Sequence, residues 1–318
     1  MKKYELNQDK LDIKNVFPVV MEALFGEDDA VVYLDADLMN SFGTGSMPKK
    51  YPDKAFDMGI QEANMVGVAA GMSAEGKKPY IHSFGPFVSR RVYDQVFLSA
   101  AYAKNSICVI GSDPGVTAAY NGGTHMPFED VALYRAMPEA TIFDIVDATQ
   151  FEKVLRLVKD MNGVKYIRVP RKGTRKVYEA SECFAAGEAK VLCEGSDVTI
   201  IASGIMVAEA ILAAQKLDTE GIHATVIDPV TIKPLDEACI VEYARKTGAV
   251  VTAENCNING GLGDAVASLL ATHEPTPMEK VGVQDEFGEV GTVDYLKERF
   301  NLTADAIVEK VVKVMARK

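Results

Sequence analysis

The sequence predicts an α/β protein of two domains, the first built on a parallel sheet with helices on both faces. Three observations carry that expectation. Short β-rich runs alternate with longer helical patterns along almost the whole chain. The strand-like runs are apolar enough to be buried on both faces. A length of 318 residues is long for one core and natural for two of ordinary size.

In the first half, Ala30–Leu34 (AVVYL), Ile107–Gly111 (ICVIG), Thr141–Ile145 and Lys165–Val169 (KYIRV) read as buried strands, and KPYIHS at 78–83 is strand-like. Between them, Asn15–Leu24, Glu62–Ser73, Ser89–Ala103, Phe128–Arg135 and Gln150–Met161 carry helical patterns. The helix opened by Glu62 is so rich in small and apolar residues that burial on most of its sides is expected. The pattern loosens over Lys172–Lys190, a charged, irregular stretch bracketed by glycine that reads as the interdomain connection. The expected domains are therefore 1–178 and 179–318. The second half alternates strands Val198–Ala202, His223–Asp228 and Ala249–Glu254 with helices Met206–Leu217, Glu237–Thr247 and Leu262–Ala271. A closing amphipathic helix, Ala304–Val314, has Thr303 as its N-cap. There is no tandem repeat or low-complexity tract, so both halves are expected to be ordered.

Composition narrows the function. Hydrophobic residues at 48% and charged residues at 25% are the balance of a soluble globular protein. A net charge of −11 argues against nucleic acid or an anionic membrane surface as partner. The five cysteines lack CxxC spacing and read as reduced thiols, with no metal cluster. The opening MKKYELNQDKLDIK is charged and has no apolar leader, and no run reaches membrane-spanning length; a cytoplasmic protein is expected.

In parallel sheets ligands gather at the carboxyl ends of strands, which directs attention to Asp35–Lys50, Ser83–Arg90, Ser112–Pro127 and Pro170–Arg175. Glu62 stands in the first turn of its helix. There the helix amino end favours the anion and apolar neighbours oppose it, a balance suited to proton transfer. A plain capping or solvent-facing glutamate is the alternative. Phe84 and Phe87 follow a strand end, where they either wall a flat heterocycle or belong to the core. His125 follows an Asn-Gly-Gly bend, from which it either moves protons near neutral pH or idles in a surface turn. His82 reads as structural. The Gly-rich run Asn259–Asp264 precedes a helix but has neither the lysine nor the spacing of a phosphate-binding fingerprint, and reads as a structural turn.

Taken together, these segments resemble the second half of transketolases from about Asn15 onward. The resemblance rests on Asp35-Ala36-Asp37-Leu38, Gly59-Ile60-Gln61-Glu62, Phe84 to Phe87, and Gly122-Gly123-Thr124-His125, in family order and spacing. Asp228 through Asp236 and Glu254 through Gly263 are similar to the carboxy-terminal domain shared by transketolases, deoxyxylulose-phosphate synthases and ketoacid dehydrogenase β subunits. Phe287-Gly288-Glu289 and Asp294-Tyr295-Leu296 are similar to split transketolases in particular. The resemblance implies a pyrimidine-binding domain followed by a transketolase C-terminal domain, and two-carbon ketol transfer between a ketose phosphate and an aldose through thiamin diphosphate.

By the same resemblance Glu62 matches the glutamate that bonds the cofactor's aminopyrimidine nitrogen, and Phe84 and Phe87 the wall on which that ring stacks. Asp37 matches an acidic residue near the cofactor. His125 matches the histidine that handles substrate hydroxyl protons, and Arg171 and Ser41 match phosphate contacts. Full-length relatives hold diphosphate and Mg²⁺ with a Gly-Asp-Gly motif, and no such motif occurs here. The resemblance therefore implies an amino-terminal partner section that carries it, in an α2β2 assembly with a homodimeric core.

The departures fall on the substrate side. The family's His-Asp pair reads Ser112-Asp113, an acidic residue before the histidine reads Asn121, and Lys14 stands roughly where an arginine is expected. Ser112 and Asn121 are thus the expected substrate contacts at these positions, and an unusual ketose or aldose is one consequence. A 2-oxoacid dehydrogenase β subunit, a deoxyxylulose-phosphate synthase and a non-catalytic binding subunit are the competing readings.

Overall fold

The computed structural model describes residues 4–9 and 12–318; the charged opening stretch read above falls partly outside that set. The first sheet takes β1 (Val31–Asp35), β2 (Ala55–Asp57), β3 (Lys78–Phe84), β4 (Ile107–Ser112), β5 (Thr141–Asp144) and β6 (Val164–Val169). The second takes β7 (Lys190–Cys193), β8 (Val198–Ala202), β9 (Ala224–Asp228), β11 (Val250–Asn257) and β12 (Met278–Val283). Between β9 and β11 in the chain, β10 (Thr231–Lys233) leaves the second half and joins the first sheet antiparallel to β5. The orders are β10-β5-β6-β4-β3-β1-β2 and β12-β11-β8-β9-β7. The first sheet is therefore parallel except for its borrowed edge, and the second is parallel except for β7 on β9.

Alternate residues of β1 divide the core. Val31 and Tyr33 meet Phe17 and Phe151 from helices Ile13–Glu27 and Ala148–Val158. Val32 and Leu34 meet Met65, Val66 and Ala69 of helix Glu62–Ala74 on the opposite face. That division is the period of two of a strand read against two helical layers.

Two expectations need correction, and some elements were not foreseen. The helix over Ser89–Ala103 is broken into a 3₁₀ turn (Arg90–Val92), one α turn (Tyr93–Gln95) and a π-helix (Val96–Tyr102). Val92, Val96 and Ala100 recur every four residues and are all fully buried; a turn wider than 3.6 residues keeps that row facing the core. The helix after Glu62 is not buried on most sides, because Ala63, Asn64, Gly67 and Gly71 lie exposed. Helix Val293–Arg299 and strands β2, β7, β10 and β12, too short or too polar to show a period, were not anticipated.

Thr303 caps the last helix as expected, accepting from the Ala306 amide, and the stretch between β6 and β7 is irregular. That stretch is nevertheless pinned. The amides of Val177 and Tyr178 both donate to Asp147, and the Tyr178 hydroxyl donates to Asp228 at 2.6 Å. The two halves also share a buried cation. Arg168, fully buried on β6, donates to Asp130 (2.7 Å), Asp144 (2.9 Å) and the Asn255 carbonyl (3.0 Å), and Ser203 donates to the same Asp144 oxygen. A charge desolvated to this degree holds only when its partners are in place, so it fixes how β11 sits on the first sheet.

Candidate active site

Register brings the site together. Asp35 pairs with His82, Phe84 with Ser112, and Ser112 with Val169. The carboxyl ends of β1, β3, β4 and β6 are therefore level, and the segments after them converge as the strand-end rule requires.

Glu62 opens its helix and is only 4% exposed. Arg91 donates to its Oε1 at 2.8 Å, while Oε2 makes no hydrogen bond among the described residues. Asp57 positions this helix start, accepting at one carboxylate oxygen from the amides of Gly59 (3.0 Å) and Asp37 (3.1 Å). Asp37 is exposed and left-handed, with φ of 63°, and its carboxylate faces solvent beside that start.

Phe84, Phe87 and His125 form one aromatic cluster. The two phenyl centroids are 6.2 Å apart, and the His125 ring lies 5.6 Å from Phe84 and 5.1 Å from Phe87, edge-on to both. Phe84 is buried and Phe87 half-buried, so the cluster presents Phe87 outward. Thr124 Oγ1 lies 2.9 Å from His125 Nδ1, and Nε2 makes no hydrogen bond among the described residues. Partial burial, and then the charges of Arg90 and Arg91, hold His125 below its ordinary value of 6.5. An imidazole so placed is neutral near pH 7 and able to accept a proton.

Arg171 completes the group. Its guanidinium lies 5.0 Å from the Phe84 centroid, with Nε and Nη2 on Asp113 Oδ2 (2.7 and 2.6 Å) and Nη1 reaching the Ser41 carbonyl at 3.4 Å. Ser41 is half-buried beside it, and the Lys14 amide donates to the Arg171 carbonyl. Asn121 is exposed on the loop that carries His125, next to Ala119, whose φ of 50° and ψ of −120° mark the sharp bend there. Ser112 lies apart from that surface. It is fully buried, and its hydroxyl is 3.0 Å from His82 Nε2. His82 Nδ1 is in turn 2.6 Å from Asp35, which also accepts from Tyr33, and His82 stacks on Phe42 at 4.1 Å. This chain of buried polar groups forms the floor beneath the strand ends, consistent with a structural His82.

A cavity beside His125 is lined from both halves, by Arg90, Thr124, Met126 and Phe128 of the first and Asn257 and Phe287 of the second. The helix start at the Gly-rich run 259–264 is engaged from within the chain. The Leu262 and Gly263 amides at that helix start donate to the chain's own Glu254, at 2.6 and 2.8 Å. Sequence reasoning did not single out Arg91, whose partner lies 29 residues away, and met Asp113 only as half of a dipeptide.

The chain as a whole has counterparts among known proteins. Residues 9–176 match the transketolase pyrimidine-binding domain and residues 187–307 the transketolase C-terminal domain. The chain belongs to the transketolase family. It is 49% identical over 292 residues to a 6-deoxy-6-sulfo-D-fructose transketolase subunit of Clostridium sp. (strain MSTE9), covering 92% of this chain and 91% of that one. It is 32% identical to the transketolase of Rattus norvegicus, where the match covers 95% of this chain but 49% of the relative. Among solved structures, a split-gene transketolase described as an inactive β4 tetramer superposes with a TM-score of 0.90 at 39% identity, covering 96% of this chain and 99% of that one. Transketolases are transferases, and this chain is a carboxy-terminal transketolase section, spanning about half of a full-length transketolase and nearly all of a split subunit.

Proposed function

We propose that this section transfers a two-carbon ketol unit from a ketose phosphate to an aldose through thiamin diphosphate, in a complex with an amino-terminal section that carries the Gly-Asp-Gly motif. The observation that carries the reading is Glu62: a buried carboxylate with one oxygen held by Arg91, the other open, beside two phenyl rings. That donor set fits an aminopyrimidine, whose edge needs a carboxylate and whose face needs an aromatic wall. When bound, thiamin diphosphate supplies the carbanion-stabilising chemistry.

In this reading Glu62 holds the pyrimidine nitrogen and its proton, Phe84 and Phe87 support the ring, and Asp37 adds negative charge beside it. His125 Nε2 takes and returns the substrate hydroxyl proton. Arg171, with Ser41, orients the anionic end of the sugar, and Asn121 meets it from the rim; Ser112, expected as a substrate contact, is instead turned to His82 and acts only through the buried floor. Mg²⁺ and the diphosphate belong to the partner section. We place the domain boundary between residues 178 and 179 and the enzyme in the cytoplasm, acting on pentose phosphates as an α2β2 heterotetramer. The exposed row Ala63, Gly67 and Gly71 behind Glu62 supports an interface there, since small residues let a second backbone approach closely. The β-only tetramer called inactive in the similar structure supports the need for a partner.

A second reading concerns the sugar. One similar subunit is named for 6-deoxy-6-sulfo-D-fructose, and here Ser112 is turned inward while Arg171 is already paired with Asp113. A monoanionic sulfonate asks less of such a site than a phosphate carrying close to two charges. The test is co-expression with a Gly-Asp-Gly section and a ketol-transfer assay across sugar phosphates and sulfonated sugars. Turnover is expected only from the complex; robust turnover by the isolated chain would sink the proposal.

A further inference from the structure

Glu62 is held from one side only. Arg91 grips Oε1, and the same guanidinium lies over the Phe87 ring, its carbon 4.0 Å from the centroid. The backbone sends it there. Ser89 Oγ donates to the Gly85 carbonyl at 2.7 Å and the Arg91 amide to the Pro86 carbonyl at 3.3 Å, curling the chain so that Arg91 turns back onto the ring four residues earlier. A carboxylate pinned through one oxygen and buried around its stem has little freedom to rotate, so Oε2 keeps a fixed direction. Arginine alone among the cations offers both contacts, an in-plane donor for the carboxylate and a flat face for the phenyl ring; lysine offers the donor only.

From this geometry we infer that Arg91 is a positioning residue for the cofactor: it aims Glu62 Oε2 at the aminopyrimidine and braces Phe87, the wall on which that ring rests. The inference rests on the reading of Glu62 as the pyrimidine's partner. The side chain of Arg91 is 45% exposed, so its removal opens no core cavity.

The test uses the complex reconstituted with its Gly-Asp-Gly section. Thiamin diphosphate affinity is measured by titration calorimetry and hydrogen–deuterium exchange at the thiazolium C2 by proton resonance, for wild type, R91M, R91K, E62Q and E62Q/R91M. R91M is expected to weaken cofactor affinity and slow exchange by roughly tenfold or more, the effect of one lost charge-assisted contact. KM for the sugars should stay unchanged. R91K should recover part of the loss, because it restores the hydrogen bond without the stacked face. In the E62Q background R91M should add little, since the group it aims has changed. Wild-type affinity and exchange in R91M overturn the inference, as does an equal loss in both backgrounds. Tighter cofactor binding in R91M overturns it too, by showing that the guanidinium occupies the pyrimidine's place. If E62Q itself leaves exchange unchanged, the reading of Glu62 fails, a result distinct from a silent R91M beside an inactive E62Q.

Discussion

Replacing Arg171 with alanine addresses the substrate side of the site. Two of its three nitrogens are committed to Asp113 Oδ2, at 2.7 and 2.6 Å, and the third reaches the Ser41 carbonyl only at 3.4 Å. That loosely held Nη1 is the donor left for a sugar anion. One charge-assisted contact contributes ~1.5–3 kcal/mol, or roughly ten- to a hundredfold in kcat/KM. The substitution has a second consequence. Asp113 is 3% exposed, and without its cation it presents an uncompensated carboxylate to the incoming anion. With Ser112 turned to His82, no histidine at that position shares the load. Arg171→Ala should therefore lower kcat/KM for a phosphorylated acceptor at least about tenfold, with Arg171→Ala/Asp113→Asn recovering part of it. The assay is ketol transfer by the reconstituted complex, with an aldose phosphate and with glycolaldehyde as acceptors. Glycolaldehyde, which lacks the anion, should be used almost as before. Equal losses on both acceptors would refute the reasoning and make Arg171 a support for Phe84, over which it lies.

Three further outcomes are expected. Glu62→Gln should fold and bind its partner section but lose C2 exchange, since an amide holds no proton for the pyrimidine; an unchanged rate reduces Glu62 to a helix-end residue. Arg90→Met should raise the acidic limb of the kcat/KM–pH profile, because Arg90 is one of the charges holding His125 below 6.5. A limb that stays in place separates that limb from His125. Burial raises Asp228 to about 6, above its ordinary 3.8, so the native state holds an extra proton between those values. Its stabilising share is therefore complete below the ordinary value and is lost as pH rises through about 6, a span of roughly 3 kcal/mol. Asp144, Asp147 and Glu254 are raised in the same direction. Between about pH 4 and about pH 6 the melting midpoint of the wild type should therefore lose ground, as pH rises, to that of Asp228→Asn; equal slopes in the two proteins contradict the assignment.

The elements legible in the sequence were those with a long, regular period. Strand Val198–Ala202 and helix Glu237–Thr247 fall where the pattern places them, and the helix opened by Glu62 starts on that residue. The strand-end rule directs attention to the same places in the structure, since Asp37, His125 and Arg171 follow strands of the first sheet and Phe84 ends one. Strand β10 escaped because its three residues carry no period, and its pairing with β5 spans some ninety residues. The stretch 89–103 read as one helix because an apolar row every four residues is nearly helical; the structure follows the row by widening the turn.

What the sequence determined by itself is the layered α/β plan, the family, and which strand ends hold polar and aromatic residues. These follow from local period and from motif order, both of which survive without coordinates. The tertiary structure alone decided how those residues are engaged. Ser112 faces His82 rather than solvent, Asp113 holds Arg171, Glu254 fills the helix start that a Gly-rich run left open, and Arg91 grips Glu62. Each is a contact between segments distant along the chain or a choice between the two faces of a strand end. Such choices depend on sheet register and on which buried polar group can find a partner, and a partner is a property of the packed molecule.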